Sequence, residues 1–194
     1  SQTSLGEHIK DYSFFFYNPE EALHLSQREK AKAVECICNI EEELRHAIDC
    51  HSQILISRYI ELLLDHCNRF YKSQFITRCE ANKKIMKKTD VLLKDYILSG
   101  KLKYNTSPSL GYCAKILQLS SHYFNDLLKF ESGKNIDEYF ESKRLEMAKS
   151  MLLDSNNTVS VVTEKLGYPN IRYFSRLFKR ITGVAPNNYR LSQN

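Results

Sequence analysis

The last thirty residues hold the side chains best suited to gripping a polyanion. Lys165, Arg172, Arg176, Lys179, Arg180 and Arg190 stand there with no Asp or Glu among them, a local charge of +6. A guanidinium can bond guanine O6 and N7 as a fork, and a Lys ammonium can pair with phosphate. Elsewhere the charge is also partitioned. Residues 1–68 carry −6, residues 69–88 carry +6 and residues 89–164 carry −1, so the net +5 averages over patches. A separated basic patch is the electrostatic footprint expected for a nucleic-acid partner, while charge alone would fit a solvated face as well. Other reactive residue types offer less. His46 and Cys50 stand at i and i+4, near His51, His66 and Cys67, a spacing that could hold zinc. One such pair is a weak signal, and two of these residues fall on packing seams or in a loop, so no metal and no cofactor is expected. Cys50 and His51 are neighbours that do not face each other, and there is no Gly-rich phosphate loop. Nothing in the pattern makes an enzyme.

The elements that must position these residues are helical. Of 194 residues, only 6 are Gly and 4 are Pro, too few for the frequent turns of a sandwich or barrel. With 42% hydrophobic and 26% charged residues and no low-complexity tract, the chain is a foldable all-α protein. No run of 18 apolar residues occurs, so no membrane span is expected. Six cysteines lack the spacing of a disulfide framework, which fits a reducing cytoplasm. The chain opens on Ser1 without an initiator Met and is read as a piece of a longer protein.

Along the chain, residues 8–17 (HIKDYSFFFY) are aromatic and β-prone, and are expected to be a strand left from an otherwise absent domain over 1–17. Asn18-Pro19-Glu20-Glu21 and Ser26-Gln27-Arg28-Glu29 are helix-start signals. Ala33, Ile37, Ile40, Leu44 and Ala47, and then Ile56, Ile60, Leu63, Cys67 and Phe70, repeat at helical spacing on either side of a polar break. They predict an αα-hairpin of helices 27–49 and 52–75, packed on itself or paired with a second copy as a homodimer. Thr89 or Asp90 is expected to open a short helix, Val91–Leu98, that Gly100 closes. Lys101–Thr106 is a polar linker and the expected boundary between a helical region, 18–106, and a second domain, 107–194.

That second domain contains an internal repeat. Leu117-Gln-Leu-Ser matches Leu166-Gly-Tyr-Pro at an offset of 49. Tyr123, Phe124, Leu127, Lys129, Gly133 and Tyr139 then match Tyr173, Phe174, Leu177, Lys179, Gly183 and Tyr189 at an offset of 50. Each copy predicts a short helix, a tight turn, a second helix and a Gly stop: roughly 109–117 and 121–130, then 159–166 and 170–180. A long helix started by Asn135, with Ile136, Phe140, Met147, Ala148 and Met151 on its apolar face, joins them. This is the rhythm of two helix-turn-helix modules, whose second helices can enter the major groove of DNA.

The string Gly167-Tyr168…Tyr173-Phe174-Ser175-Arg176-Leu177-Phe178-Lys179…Gly183-Val184-Ala185-Pro186-Asn187-Asn188-Tyr189-Arg190 resembles the signature of AraC/XylS-type bacterial transcription regulators, over about 107–190. Arg69–Arg78 also resembles the linker of members that carry a cupin-like effector domain. The resemblance implies a double-stranded promoter DNA partner, read in successive major grooves, with RNA polymerase as a further partner. It implies base or phosphate contacts from Asn170, Ile171, Arg172, Ser175, Arg176 and Lys179 in the second copy, with Tyr173, Phe174, Leu177 and Phe178 in the core. The corresponding positions of the first copy are Ser121, His122, Asn125, Asp126 and Lys129. Asp126 departs from the Arg often found there: its carboxylate repels phosphate but can accept from cytosine N4. A helical protein-interaction module without DNA binding is the alternative, and it leaves the duplication unexplained.

Overall fold

The computed structural model describes residues 9–45, 47–104, 107–154 and 156–192. Helices are α1 Gln27–Arg45, α2 Cys50–Thr77, α3 Cys79–Leu98, α4 Leu110–Leu117, α5 Ser121–Ser132, α6 Ile136–Leu153, α7 Val159–Lys165, α8 Ile171–Thr182 and α9 Pro186–Ser192. Among the described residues there is no strand, in accord with the all-α expectation. Two compact units form, Ser1–Lys83 with Leu119–Phe130, and Lys84–Gln118 with Glu131–Asn194, a partition that crosses the expected boundary at 106.

In the first unit, the expected strand is two 3-10 turns, Ile9–Asp11 and Ser13–Phe16, followed by a third at Pro19–Glu21. The correction has a packing cause. The rings turn to partners on two different helices, which a flat strand could not arrange: Phe14 stacks on Tyr71 at 5.4 Å, Phe16 on His122 at 4.5 Å, and Tyr17 meets Tyr71 edge-on at 5.1 Å. Ser26 and Glu29 form the expected capping box, Ser26 N–H donating to Glu29 Oε2 at 2.9 Å. Asp49 caps α2 by accepting from the N–H groups of His51 and Ser52, each at 2.8 Å. Helices α1 and α2 pack together as the expected hairpin, but the seam is turned by one residue. Cys36 is buried, whereas Ile37 and Leu44 are exposed. A two-helix contact needs only a narrow stripe, and Ala33, Cys36 and Ile40 supply it.

In the second unit, Thr89 does not begin a helix but lies inside α3, its hydroxyl donating to Ile85 O at 3.0 Å. A Thr inside a helix can satisfy its hydroxyl by bonding back to the i−4 carbonyl. Asp90, the other candidate cap, accepts instead from Tyr139 Oη at 2.7 Å and pairs with Lys143 at 3.2 Å. Gly100 then adopts φ +75 just past the helix end. Lys101–Tyr104 is a 3-10 turn with Leu102 buried, so this part of the expected polar linker packs into the unit; residues 105 and 106 lie outside the described ones. Asn135 and Glu138 cap α6 reciprocally. Ile136, Tyr139, Phe140, Leu145, Ala148 and Leu152 are its buried face, with Met147 and Met151 only half-buried.

Candidate nucleic-acid interface

Helix α8 is built to hold a basic face outward. Asn170 caps it, Oδ1 accepting from Tyr173 N–H at 2.8 Å, and Gly183 ends it at φ +82. Phe174, Leu177 and Phe178 are buried, as expected, and anchor one side. Tyr173 is not in the core: it is 52% exposed and lines a shallow hollow with Arg176 and Arg180. The reason is helical phase. Position 173 falls on the row of 176 and 180, three and seven residues on, and so shares their outward face.

Of the second-copy residues expected to read DNA, Ile171, Arg172, Arg176 and Lys179 are exposed and Ser175 is half-buried at the edge of the face. Asn170 is exposed too, but its carbonyl oxygen is committed to the cap, which leaves the amide NH2 as its free donor. Arg180 joins this face, a residue counted in the charge pattern but not among the expected readers.

Arg190 leaves the patch. Its Nε donates to Leu152 O at 3.0 Å and its Nη2 to Asn157 O, so this cation fastens the segment after α6. A carbonyl-bound Arg is structural, and no charge count along the sequence separates it from its neighbours.

The turn ahead of α8 is clamped. Arg144, from α6, donates Nε and Nη2 to Leu166 O at 3.1 and 2.8 Å, and its Nη1 meets Glu141 Oε2 at 3.0 Å. Its guanidinium lies 4.0 Å from the Tyr168 ring centre, and Tyr168 Oη donates to Glu141 Oε1 at 2.8 Å. Burial first, then the Glu141 charge, push the Tyr168 phenol well above its usual range, with Arg144 opposing, so the neutral donor persists. Gly167 sits in this turn at φ +66, so close to Leu102 that a Cβ would stand 2.5 Å from the Leu102 Cβ. The helix start is thus fixed from two sides.

The first copy is different in kind. Gln118, the counterpart of Gly167, takes the left-handed conformation at φ +59 without being Gly. On α5, His122 and Lys129 are exposed and Ser121, Asn125 and Asp126 half-buried. Asp126 Oδ2 accepts from Tyr17 Oη at 2.7 Å, and His122 lies under Phe16. These partners come from more than a hundred residues upstream, and sequence spacing contains no signal for them. His46 lies outside the described residues. Among those described, no group of three or more His, Cys, Asp or Glu could hold a metal.

Residues 113–192 match a family model described as a helix-turn-helix domain. Over 87 residues the chain is 36% identical to an uncharacterised HTH-type transcriptional regulator, YtdP, of Bacillus subtilis (strain 168), covering 45% of this chain and 11% of that protein. Over 77 residues it is 39% identical to another, YobQ, of the same organism, covering 40% and 32%. Over 89 residues it is 34% identical to the raffinose operon transcriptional regulatory protein RafR of Pediococcus pentosaceus, covering 46% and 32%. The matched stretch thus spans a third or less of these relatives. Over that stretch the chain matches the helix-turn-helix domain model and is similar to these transcriptional regulators.

Proposed function

We propose that the chain is a sequence-specific regulator of transcription that binds double-stranded promoter DNA, with α8 and α5 entering successive major grooves. The observation that carries this reading is the outward face of α8. Arg172, Arg176, Lys179 and Arg180 stand exposed on one capped and clamped helix, in a stretch with no acidic residue from position 165 onward. On this helix Arg176 and Arg172 read base edges, Ser175, Asn170 and Ile171 line the groove, and Lys179 and Arg180 meet phosphate. Ser121, His122, Asn125 and Lys129 serve in the same way on α5. The names of the relatives, all transcriptional regulators, support the same assignment.

A second copy of the chain is the proposed partner of the hairpin. Val34, Ile37 and Leu44, at 46%, 45% and 52% exposure, make a second apolar stripe on α1, and Leu55 and Leu62 do so on α2. Such a stripe is costly to leave in water and fits a four-helix pairing. Two linked DNA-binding units would then gain affinity from shared tethering. RNA polymerase is the further proposed partner, and the cytoplasm the proposed compartment; no described helix is long and apolar enough to cross a membrane.

Titration of duplex DNA with the full chain at several salt concentrations tests the reading. Neutralising two phosphates, the number assigned to Lys179 and Arg180, gives a log–log slope of about −2 from α8 alone. A flat salt dependence would favour the protein-interaction module.

A further inference from the structure

The face of α5 that would meet DNA already has an occupant. Phe16 stacks on the His122 imidazole, with ring centres 4.5 Å apart and planes 24° apart. Tyr17 Oη donates to Asp126 Oδ2 at 2.7 Å, and its ring meets Tyr123 edge-on at 5.2 Å. Glu21, only 4% exposed, accepts from Ser120 N–H through Oε1 at 2.7 Å and from Ser120 Oγ through Oε2 at 2.6 Å. Gln74 of α2 anchors the end of the segment, its Oε1 accepting from His24 N–H at 2.9 Å. All these residues belong to the first unit.

The chemistry of the three contacts has a common sense. A backbone N–H at the start of a helix is where a DNA phosphate oxygen is commonly received, and the Glu21 carboxylate holds that N–H. An imidazole face is where a planar base can stack, and Phe16 covers it. A carboxylate on a reading helix can accept from the exocyclic amine of cytosine, and the Tyr17 hydroxyl takes its place. Anion, planar ring and hydrogen-bond donor are what a nucleotide brings.

We propose that residues 16–21 are an internal nucleic-acid mimic that masks α5, so that the chain binds DNA through α8 first and through α5 only when this strap lifts. The inference rests on the DNA-reading function proposed above. The strap is suited to lifting: Phe16 is 53% exposed and Phe15 52%, so its outer part rests on few contacts. The affinity available through α5 is reduced by the fraction of molecules with the strap open.

The test uses the full chain and a duplex recovered from a random pool by selection on that chain. Phe16→Ala with Tyr17→Phe removes the stacked ring and one hydroxyl while sparing the buried Glu21. This double variant should bind about tenfold more tightly, the gain expected when a state open in about one molecule in ten becomes fully open. It should also protect about one further helical turn of DNA from cleavage. Because the chain has no Trp, Phe16→Trp places a single indole against His122. Its emission should move to longer wavelength when duplex saturates the protein. Equal affinity and equal protection in the wild-type and double-variant chains would overturn the proposal, as would an indole that does not respond to saturating duplex. Arg176→Ala separates the two levels. If duplex binds and this substitution weakens it while the strap substitutions change nothing, the mask is wrong and the reading of DNA by α8 stands. If no form of the chain binds duplex, the DNA reading itself fails.

Discussion

Gly167→Ala is the substitution for which the structure gives the sharpest expectation. Gly167 lies at φ +66, and an added Cβ would meet the Leu102 Cβ at 2.5 Å, its carbonyl oxygen at 2.7 Å and its carbonyl carbon at 3.0 Å. The left-handed conformation costs an L residue about 1–2 kcal/mol. Forcing a methyl into an occupied place adds about 1–3 kcal/mol, and two of the three near atoms are backbone that cannot swing aside. The expected loss is therefore about 2–5 kcal/mol. Gly183 supplies the internal control, because it lies at φ +82 with nothing within 4 Å of an added Cβ. Gly183→Ala should cost only the conformational part, about 1–2 kcal/mol. Urea unfolding followed by circular dichroism, with amide exchange of α7 and α8, measures both. Leu102→Ala should not rescue Gly167→Ala, since the clash is with the Cβ and the carbonyl group. Equal losses at the two glycines would refute the close approach of Leu102, and with it the account of how the start of α8 is held.

Other perturbations separate structure from recognition. Arg176→Ala should cost about 1–3 kcal/mol for the preferred sequence and relax base preference at one position, whereas Lys179→Ala should weaken all sequences alike and flatten the salt slope by about 1, both read from binding isotherms. Arg190→Ala should lower stability by about 2 kcal/mol, because Leu152 O and Asn157 O lose their donor, and should leave the ranking of DNA sequences unchanged. Burial, then the bond to Asp65 and the nearby charges of Asp65, Glu61 and Asp11, raise the Tyr12 phenol to about 12. Its neutral form therefore contributes stability in full below about pH 10 and loses it as pH rises toward 12. Unfolding midpoints across that window should fall less steeply in Tyr12→Phe.

What the sequence conveyed well was local. Ser26 with Glu29, Asn135 and the Gly167 and Gly183 positions are punctuated by residues whose preferences act within four positions, and the structure uses each as read. The repeat made both α5 and α8 legible because the pattern occurs twice. What was hidden depends on distant partners. Thr89 and Asp90 look like a cap until Tyr139 and Lys143 claim the carboxylate from 49 and 53 residues away. Phe14, Phe15 and Phe16 look like a strand until Tyr71 and His122 claim two of the rings. Arg190 looks like one more cation until two carbonyls hold it. In the candidate site, charge and periodicity placed the α8 face, but Tyr173 was missed because its phase on the helix outweighs its hydrophobicity. The occupation of α5 by residues 16–21 could not be seen at all, since nothing in the spacing links Tyr17 to Asp126 or Glu21 to Ser120.

The central claim is that the exposed basic face of α8 reads the sequence of duplex DNA. Selection of bound sequences from a random duplex pool, run in parallel with the wild-type chain and with Arg176→Ala, tests it most directly. The account predicts that the wild-type chain enriches an asymmetric motif and that the variant loses preference at one base pair within it. A pool that stays random with the wild-type chain, or a motif that Arg176→Ala leaves intact, would contradict it.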